Sequence, residues 1–298
     1  MKTNRSAWLA MSGQSILAGL SFAFARNAAV EFGPFVLLLM RTSGAALFFA
    51  ILFLSNGGFK GRRKPVGSEW VKLGMLAFVG VAFNQFLFLL GLKFTTPANS
   101  AVLYTLTPMI VLLISVFLMQ LERLSVQKVG GIVVAMVGAS IVLFAQKQGS
   151  YGLENKLMLG NLITLVAVIS WSFYLAYAKV LLPQYDSVQI TSVIMMMGAL
   201  IFFPVGIWFL PGFDWHQIST TGWISYIYIT FFSSALSYLL LTFALNKIDS
   251  SQVSIFMNAQ PIIAAIFSAL AYGEVLTANL IIGGLVTIAG IFLTQKEY

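Results

Sequence analysis

Ten stretches of mostly apolar residues, separated by short polar breaks, run along the chain at about 7–25, 34–54, 71–92, 98–119, 127–145, 157–180, 188–210, 222–244, 252–272 and 277–294. A helix rises about 1.5 Å per residue, so roughly 20 residues cross a bilayer's hydrocarbon. The pattern predicts an all-α polytopic membrane protein with ten transmembrane helices. The N-terminal run is read as a first span, not a signal peptide, because it has no clear small-residue cleavage site.

Two of these spans carry a proline behind a short polar run: Ala101-Val-Leu-Tyr104-Thr105-Leu-Thr107-Pro108 and Ser254-Ile-Phe-Met-Asn258-Ala-Gln260-Pro261. Proline inside a helix removes one backbone hydrogen bond and clashes with the carbonyl four residues back. In lipid that carbonyl needs another partner or a polar cavity. Pro108 and Pro261 are therefore expected to be helix-break or hinge positions.

The two prolines lie 153 residues apart, and at that offset Asn84-Gln85 meets Ser237-Tyr238 and Thr105 meets Asn258. At an offset of 152, Glu122 meets Glu274, Gly131 meets Gly283 and Gly138 meets Gly290. Spans one to five thus repeat as six to ten, in domains 1–150 and 151–298. Five is odd, so the halves are expected to be inverted relative to one another. Gly131, Ala135 and Gly138, and likewise Gly283, Thr287 and Gly290, align on single helix faces and are read as close-packing surfaces. Glu122 and Glu274 precede helices and are read as capping residues.

Charge placement orients the chain. Twelve Lys and Arg fall on the side of the loop that holds Lys60, Arg62, Arg63 and Lys64, and four on the other side, Arg26 among them. By the positive-inside rule both termini are cytoplasmic. This asymmetry accounts for the net charge of +8 without nucleic acid as a partner. The chain is 59% hydrophobic and 9% charged, against about 25% charged in soluble domains. With no cysteine, disulfides and thiolate metal sites are excluded. No H-E-x-x-H run, phosphate-binding loop or paired intramembrane carboxylate is present. No catalytic residue, metal or cofactor is expected, and a membrane enzyme or receptor is disfavoured.

The candidate chemistry lies in the spans. Arg41 is the one ionisable residue deep in a span; a cation there is costly and functional by default. It has no acid at its depth; a substrate carboxylate or phosphate is one candidate partner, and bonding to loose carbonyls or snorkelling outward is the alternative. Asn84, Gln85 and Asn258 are the stronger polar candidates, since an amide in hydrocarbon needs external partners. Ser237, Ser254 and Gln14 sit on polar stripes that also include Ser21, Thr230 and Ser233. Tyr104, Thr105 and Tyr238 flank the matched positions. Trp171 lies mid-span, and with Tyr174 it forms either an aromatic wall for a substrate or a packing contact.

The chain resembles the drug/metabolite transporter superfamily in its ten-helix EamA-type branch. The resemblance rests on Gly19-Leu-Ser-Phe22, Arg41, Leu90-Gly-Leu-Lys93 through Leu106-Thr-Pro108, Ala244-Leu-Asn through Asn258-Ala-Gln-Pro261, Glu122, and Gly-Glu274-Val-Leu-Thr277. It implies an inner-membrane protein of two inverted five-helix repeats. It also implies a central cavity lined by spans one, three, four, six, eight and nine, with five and ten peripheral. An arginine near Arg41 is shared across the family, which favours an architectural role. Gln14 stands near where the small multidrug branch carries a titratable glutamate, so proton-driven efflux of that kind is disfavoured. The expected activity is secondary transport of a small neutral or zwitterionic, amino-acid-like metabolite, by export or facilitated diffusion. Import or exchange of a nucleoside-like or nucleotide-type metabolite, and multidrug efflux, are the alternatives. The expected partners are the substrate and the lipid bilayer; oligomeric state is left open.

Overall fold

The computed structural model describes residues 5–120, 125–144, 153–181, 184–245, 247, 256–257, 259–273 and 276–295. Glu122, Glu274, Ser254 and Asn258 lie outside them. Every regular element among the described residues is helical. In chain order these are α1 (Arg5–Phe32), α2 (Pro34–Ser55), α3 (Ser68–Ala77), a π-helical segment (Phe78–Phe83) and α4 (Asn84–Phe94). Next come α5 (Pro97–Tyr104), α6 (Thr107–Phe117), α7 (Val126–Phe144), α8 (Leu153–Leu181) and α9 (Ser187–Ile207). The series ends with α10 (Thr220–Ile227), a second π segment (Tyr228–Leu236), α11 (Ser237–Leu245), α12 (Gln260–Tyr272) and α13 (Ala278–Gln295).

Seven helices among the described residues are long and apolar enough to cross a membrane, and three more apolar helices are shorter. The shorter three lie in α7, α12 and α13. Large apolar side chains such as Leu9, Leu54, Leu200 and Leu270 are exposed on the outer surface. Lipid, not water, is the solvent for such a surface.

The first span is longer than the apolar run implies. Arg26 and Asn27 resemble a loop in sequence, yet α1 continues to Phe32 and turns at Gly33, whose φ of 70° leads into Pro34 at the start of α2. Arg26 therefore lies on a helix. The polar residues of these last turns serve α10. Asn27 Nδ2 donates to Ser225 Oγ at 3.1 Å, and the Glu31 carboxylate accepts from both the amide and the hydroxyl of Ser219 at 2.8 Å. Ser219 is the N-cap of α10, its hydroxyl accepting from the Gly222 amide. Glu31 thus places a negative charge at a helix N-terminus. Gly222 leaves room for it, since a Cβ there would lie 2.3 Å from Glu31 Oε2. Glu31→Ala is expected to cost about 1 kcal/mol, the scale of a lost cap. Thermal unfolding in detergent reads this; an unchanged melting point refutes it.

The prolines do not sit in helix interiors. α5 ends at Tyr104, Thr105 and Leu106 form a turn, and Pro108 falls in the first turn of α6. Pro261 likewise falls in the first turn of α12. At such a position the missing N–H would have been unsatisfied anyway. The expected carbonyl clash is therefore absent: the spans are broken before proline and restarted by it. At the first break the Thr105 and Leu106 amides donate to the Val102 and Leu103 carbonyls at 3.0 and 3.1 Å, and Thr105 Oγ1 adds a 2.6 Å bond to Val102.

The third and eighth spans each contain a π-helical segment immediately before the matched dipeptide. The Asn84 amide donates to Val79 and the Ser237 amide to Phe232, both five residues back. Nothing in the apolar periodicity announces these segments. Each re-aims the polar pair that follows, and π turns recur at functional sites.

Packing runs mainly between the chain's two halves. α1 packs on α10, α11 and α12; α8 on α4, α5 and α6; α2 on α9; and α7 on α13. The last pair is reciprocal. A Cβ on Gly138 would lie 2.4 Å from the Thr287 nitrogen, and one on Gly290 would lie 2.3 Å from the Ala135 nitrogen. Small side chains here allow backbone contact, the source of helix adhesion in lipid.

Candidate functional site

The break before α6, the start of α12 and both polar dipeptides converge on one central cavity of about 90 Å³. A few waters would fill it. α1 contributes Gln14, Ala18, Ser21 and Phe22; α2 contributes Arg41; α4 contributes Asn84, Gln85 and Phe88. Ala101, Tyr104, Thr105 and Pro108 come from the region of the first break, and Met257, Gln260 and Pro261 from that of the second. Trp171 enters from α8, and Ser233, Ser237, Tyr238 and Leu241 from the eighth span. The second span thus joins the six expected to line the cavity.

The predicted site residues are distributed as follows. Gln14, Arg41, Asn84, Gln85, Tyr104, Thr105, Trp171, Ser237, Tyr238, Pro108 and Pro261 are brought together on the cavity wall. Tyr174 is not on that wall. It stacks behind Trp171, with ring centroids 4.9 Å apart and planes 18° apart, and lines an outer, largely apolar hollow of about 870 Å³ between α3 and α8. The two rings separate the outer hollow from the central cavity. A Cβ at Gly80 would fall 2.2 Å from the Tyr174 ring, so that glycine is what lets the ring lie against the π segment.

Hydrogen bonds fix the wall. Gln14 Nε2 donates to Ser237 Oγ, and Gln260 Nε2 to Gln14 Oε1, both at 3.3 Å, tying the first span to the eighth and ninth. Asn84 Nδ2 donates to the Ala167 carbonyl at 2.7 Å and to the Tyr104 hydroxyl at 3.2 Å. Its amide N–H groups are therefore engaged by the protein. Gln85 Nε2 donates to the Tyr238 hydroxyl at 3.1 Å, and that hydroxyl donates to the Gly80 carbonyl at 3.4 Å. Ser170 Oγ donates to the neighbouring Val79 carbonyl at 2.7 Å. The first π segment thus offers two carbonyls to the second half of the chain.

Arg41 is 3% exposed. Its Nε donates to Ser234 Oγ at 2.6 Å and its Nη2 to Ser233 Oγ at 3.3 Å, both serines lying on the second π segment. Neither is charged. The four carboxylates with described side chains are engaged elsewhere: Glu31 on Ser219, Glu69 with Arg63, Asp186 with Arg62, and Asp214 on the His216 amide. The aromatic part of the wall is a cluster of edge-on contacts among Phe22, Phe88 and Tyr104, with centroids 5.4–5.7 Å apart. No group of three or more His, Cys, Asp or Glu that could hold a metal occurs among the described residues.

Phe22, Phe88, Gln260 and Leu241 were not among the predicted site residues. Helical spacing held the signal for two of them, since Phe88 follows Asn84 by one turn and Phe22 follows Ala18 on the small-residue face. Gln260 was legible only as the match of Thr107.

The model of the EamA-like transporter family matches residues 5–144 and 158–295. An uncharacterized transporter of Archaeoglobus fulgidus is 27% identical over 93% of this chain and 93% of its own length. The uncharacterized transporter YyaM of Bacillus subtilis is 26% identical over 97% of this chain and 95% of its own. A probable terminal-alkyne amino-acid exporter of Streptantibioticus cattleyicolor is 23% identical over 100% and 95%. One solved crystal structure overlays with a TM-score of 0.67 at 17% identity, covering 97% of this chain and 96% of that one, a likeness of fold.

Proposed function

This chain belongs to the EamA-like transporter family, and on that premise we propose that it carries a small neutral or zwitterionic, amino-acid-like metabolite across the cell inner membrane by alternating access, as an exporter or facilitator. It is a multi-pass membrane transporter rather than an enzyme. The observation that carries the cargo reading is the central cavity, walled by both halves of the chain and holding a single buried cation.

Ten spans in two inverted five-helix repeats, 1–150 and 151–298, form the working unit of this reading. Reciprocal packing of α7 on α13 supports it, as do π segments at matched places in the third and eighth spans. Gln85 and Tyr238 add a further support: they are matched across the repeat and bonded to each other. The Lys and Arg asymmetry supports cytoplasmic termini. Rocking the halves about the cavity would expose it to each side in turn.

Purified protein in liposomes, offered amino acids, nucleosides and cationic drugs, tests the reading. Amino-acid flux is the expected result; flux of nucleosides or drugs alone would overturn the amino-acid reading, and no flux of any panel member would end the transport reading. Flux is also expected to persist when the pH gradient is collapsed, because no described carboxylate lines the cavity. Strict dependence on that gradient would refute uncoupled transport.

A further inference from the structure

Two buried polar atoms on the cavity-lining residues have no partner among the described residues: the donor Nη1 of Arg41 and the acceptor Oε1 of Gln85. We propose that these atoms form the polar half of the cargo site, with Arg41 Nη1 receiving the cargo's carboxylate and Gln85 Oε1 its amino group. This rests on the reading of the cavity as the transport site.

The case for the carboxylate is one of charge. A guanidinium out of water, held only by neutral hydroxyls, leaves its charge uncompensated, a costly arrangement in a membrane interior. Ser233 and Ser234 occupy Nη2 and Nε and so aim the guanidinium without neutralising it. No described carboxylate supplies the missing charge. A cargo anion does so, and it does so only while bound. One cation matches one negative charge, which selects a carboxylate over a doubly charged phosphate. Trp171 and Tyr104 on the same wall offer apolar surface to a side chain.

The case for the amino group is one of hydrogen-bond direction. The Tyr238 hydroxyl proton goes to the Gly80 carbonyl, so towards Gln85 that oxygen only accepts. Gln85 must therefore present its NH₂ to Tyr238, which leaves Oε1 as the end that accepts. An unpaired buried acceptor is costly until a donor arrives. A zwitterionic amino acid brings the anion and the donor on one carbon. An amine alone leaves Arg41 Nη1 without an acceptor, and an ester offers it a carbonyl oxygen but no negative charge.

Binding to the full chain in nanodiscs, read by calorimetry and by Trp171 fluorescence, separates these cases. The probes are the proteinogenic L-amino acids and, for each one that binds, its decarboxylated amine, its methyl ester and its des-amino acid, with hydrogen in place of the amino group. Amine and ester are expected to bind about 100-fold more weakly than the amino acid, the usual scale for stranding a buried charge. The des-amino acid is expected to bind about tenfold more weakly, the scale for leaving a buried acceptor unpaired. In Arg41→Gln the acid and its ester should bind alike, and in Arg41→Lys the preference for the acid should partly return. The wild-type series decides the matter alone if the Arg41 variants do not fold. An ester or amine that binds as tightly as the amino acid overturns the Arg41 assignment, and an equally tight des-amino acid overturns that of Gln85. Failure of every amino acid to bind, with a nucleoside or drug carried in liposomes, ends the proposal and leaves transport standing. No flux of any class would remove the transport reading itself.

Discussion

Gly290→Leu is expected to leave little folded transporter. The atoms that a side chain would meet at this position are the Ala135 nitrogen at 2.3 Å and the Gly131 carbonyl oxygen at 2.7 Å. Both belong to backbone and neither can swing aside, so α7 and α13 must separate along the whole contact. Overpacking against yielding side chains costs about 1–3 kcal/mol, and an unyielding backbone puts this substitution at the top of that range or beyond. Adhesion in lipid has no hydrophobic drive to hold the pair together once contact is lost. The control is Gly130→Leu on the partner helix α7, where nothing lies within 4 Å of an added Cβ. Size-exclusion profiles and melting curves should show a collapsed monodisperse peak for the first and a near-native one for the second. Equal behaviour of the two would refute the backbone-contact account.

The second large effect is expected from Ser233→Ala combined with Ser234→Ala. The pair provides both hydrogen bonds that Arg41 makes to side chains. Bonds to charged groups contribute about 1.5–3 kcal/mol each, so the double variant is expected to lose about 3 kcal/mol of stability. A guanidinium without its two anchors also no longer points Nη1 in one direction, and flux should fall about 100-fold. Ser233→Thr with Ser234→Thr keeps both hydroxyls and should retain most of the flux. Wild-type melting and flux in the alanine pair would show that the serines are incidental to Arg41.

The arrangement of polar residues around one centre was legible in sequence because lipid allows few reasons for an amide or a guanidinium in a span. Gln14, Arg41, Asn84 and Gln85 stood out on that ground, and all four line the cavity. Matched spacing did the rest for Ser237 and Tyr238. Three features were not legible. The π segments leave no trace in apolar periodicity, because a single extra residue per turn shifts the helix face without changing the run. The end of α1 was hidden because Arg26, Asn27 and Glu31 read as loop chemistry until α10 is known to lie against Asn27 and Glu31. Tyr174 was placed with Trp171 by helical spacing, which gives the shared face but not the depth at which each ring stops. Asn84 shows a further limit: the residue type signals a need for partners, and only geometry tells that the Ala167 carbonyl and Tyr104 already meet it.

Residues that a two-fold operation exchanges, and that also touch one another, lie on either side of the operation's axis, which passes between them. Gln85 and Tyr238 are such a pair under the inverted-repeat reading, joined at 3.1 Å. Under the proposed alternating access, points on the axis would map onto themselves as the halves trade shapes, and this bond would act as a fulcrum that keeps its length. Its ends are nevertheless unlike, an amide on one side and a phenol on the other. On that proposal the inward-facing and outward-facing forms would not be mirror images in energy, and the chemistry of the pivot itself would set the resting direction.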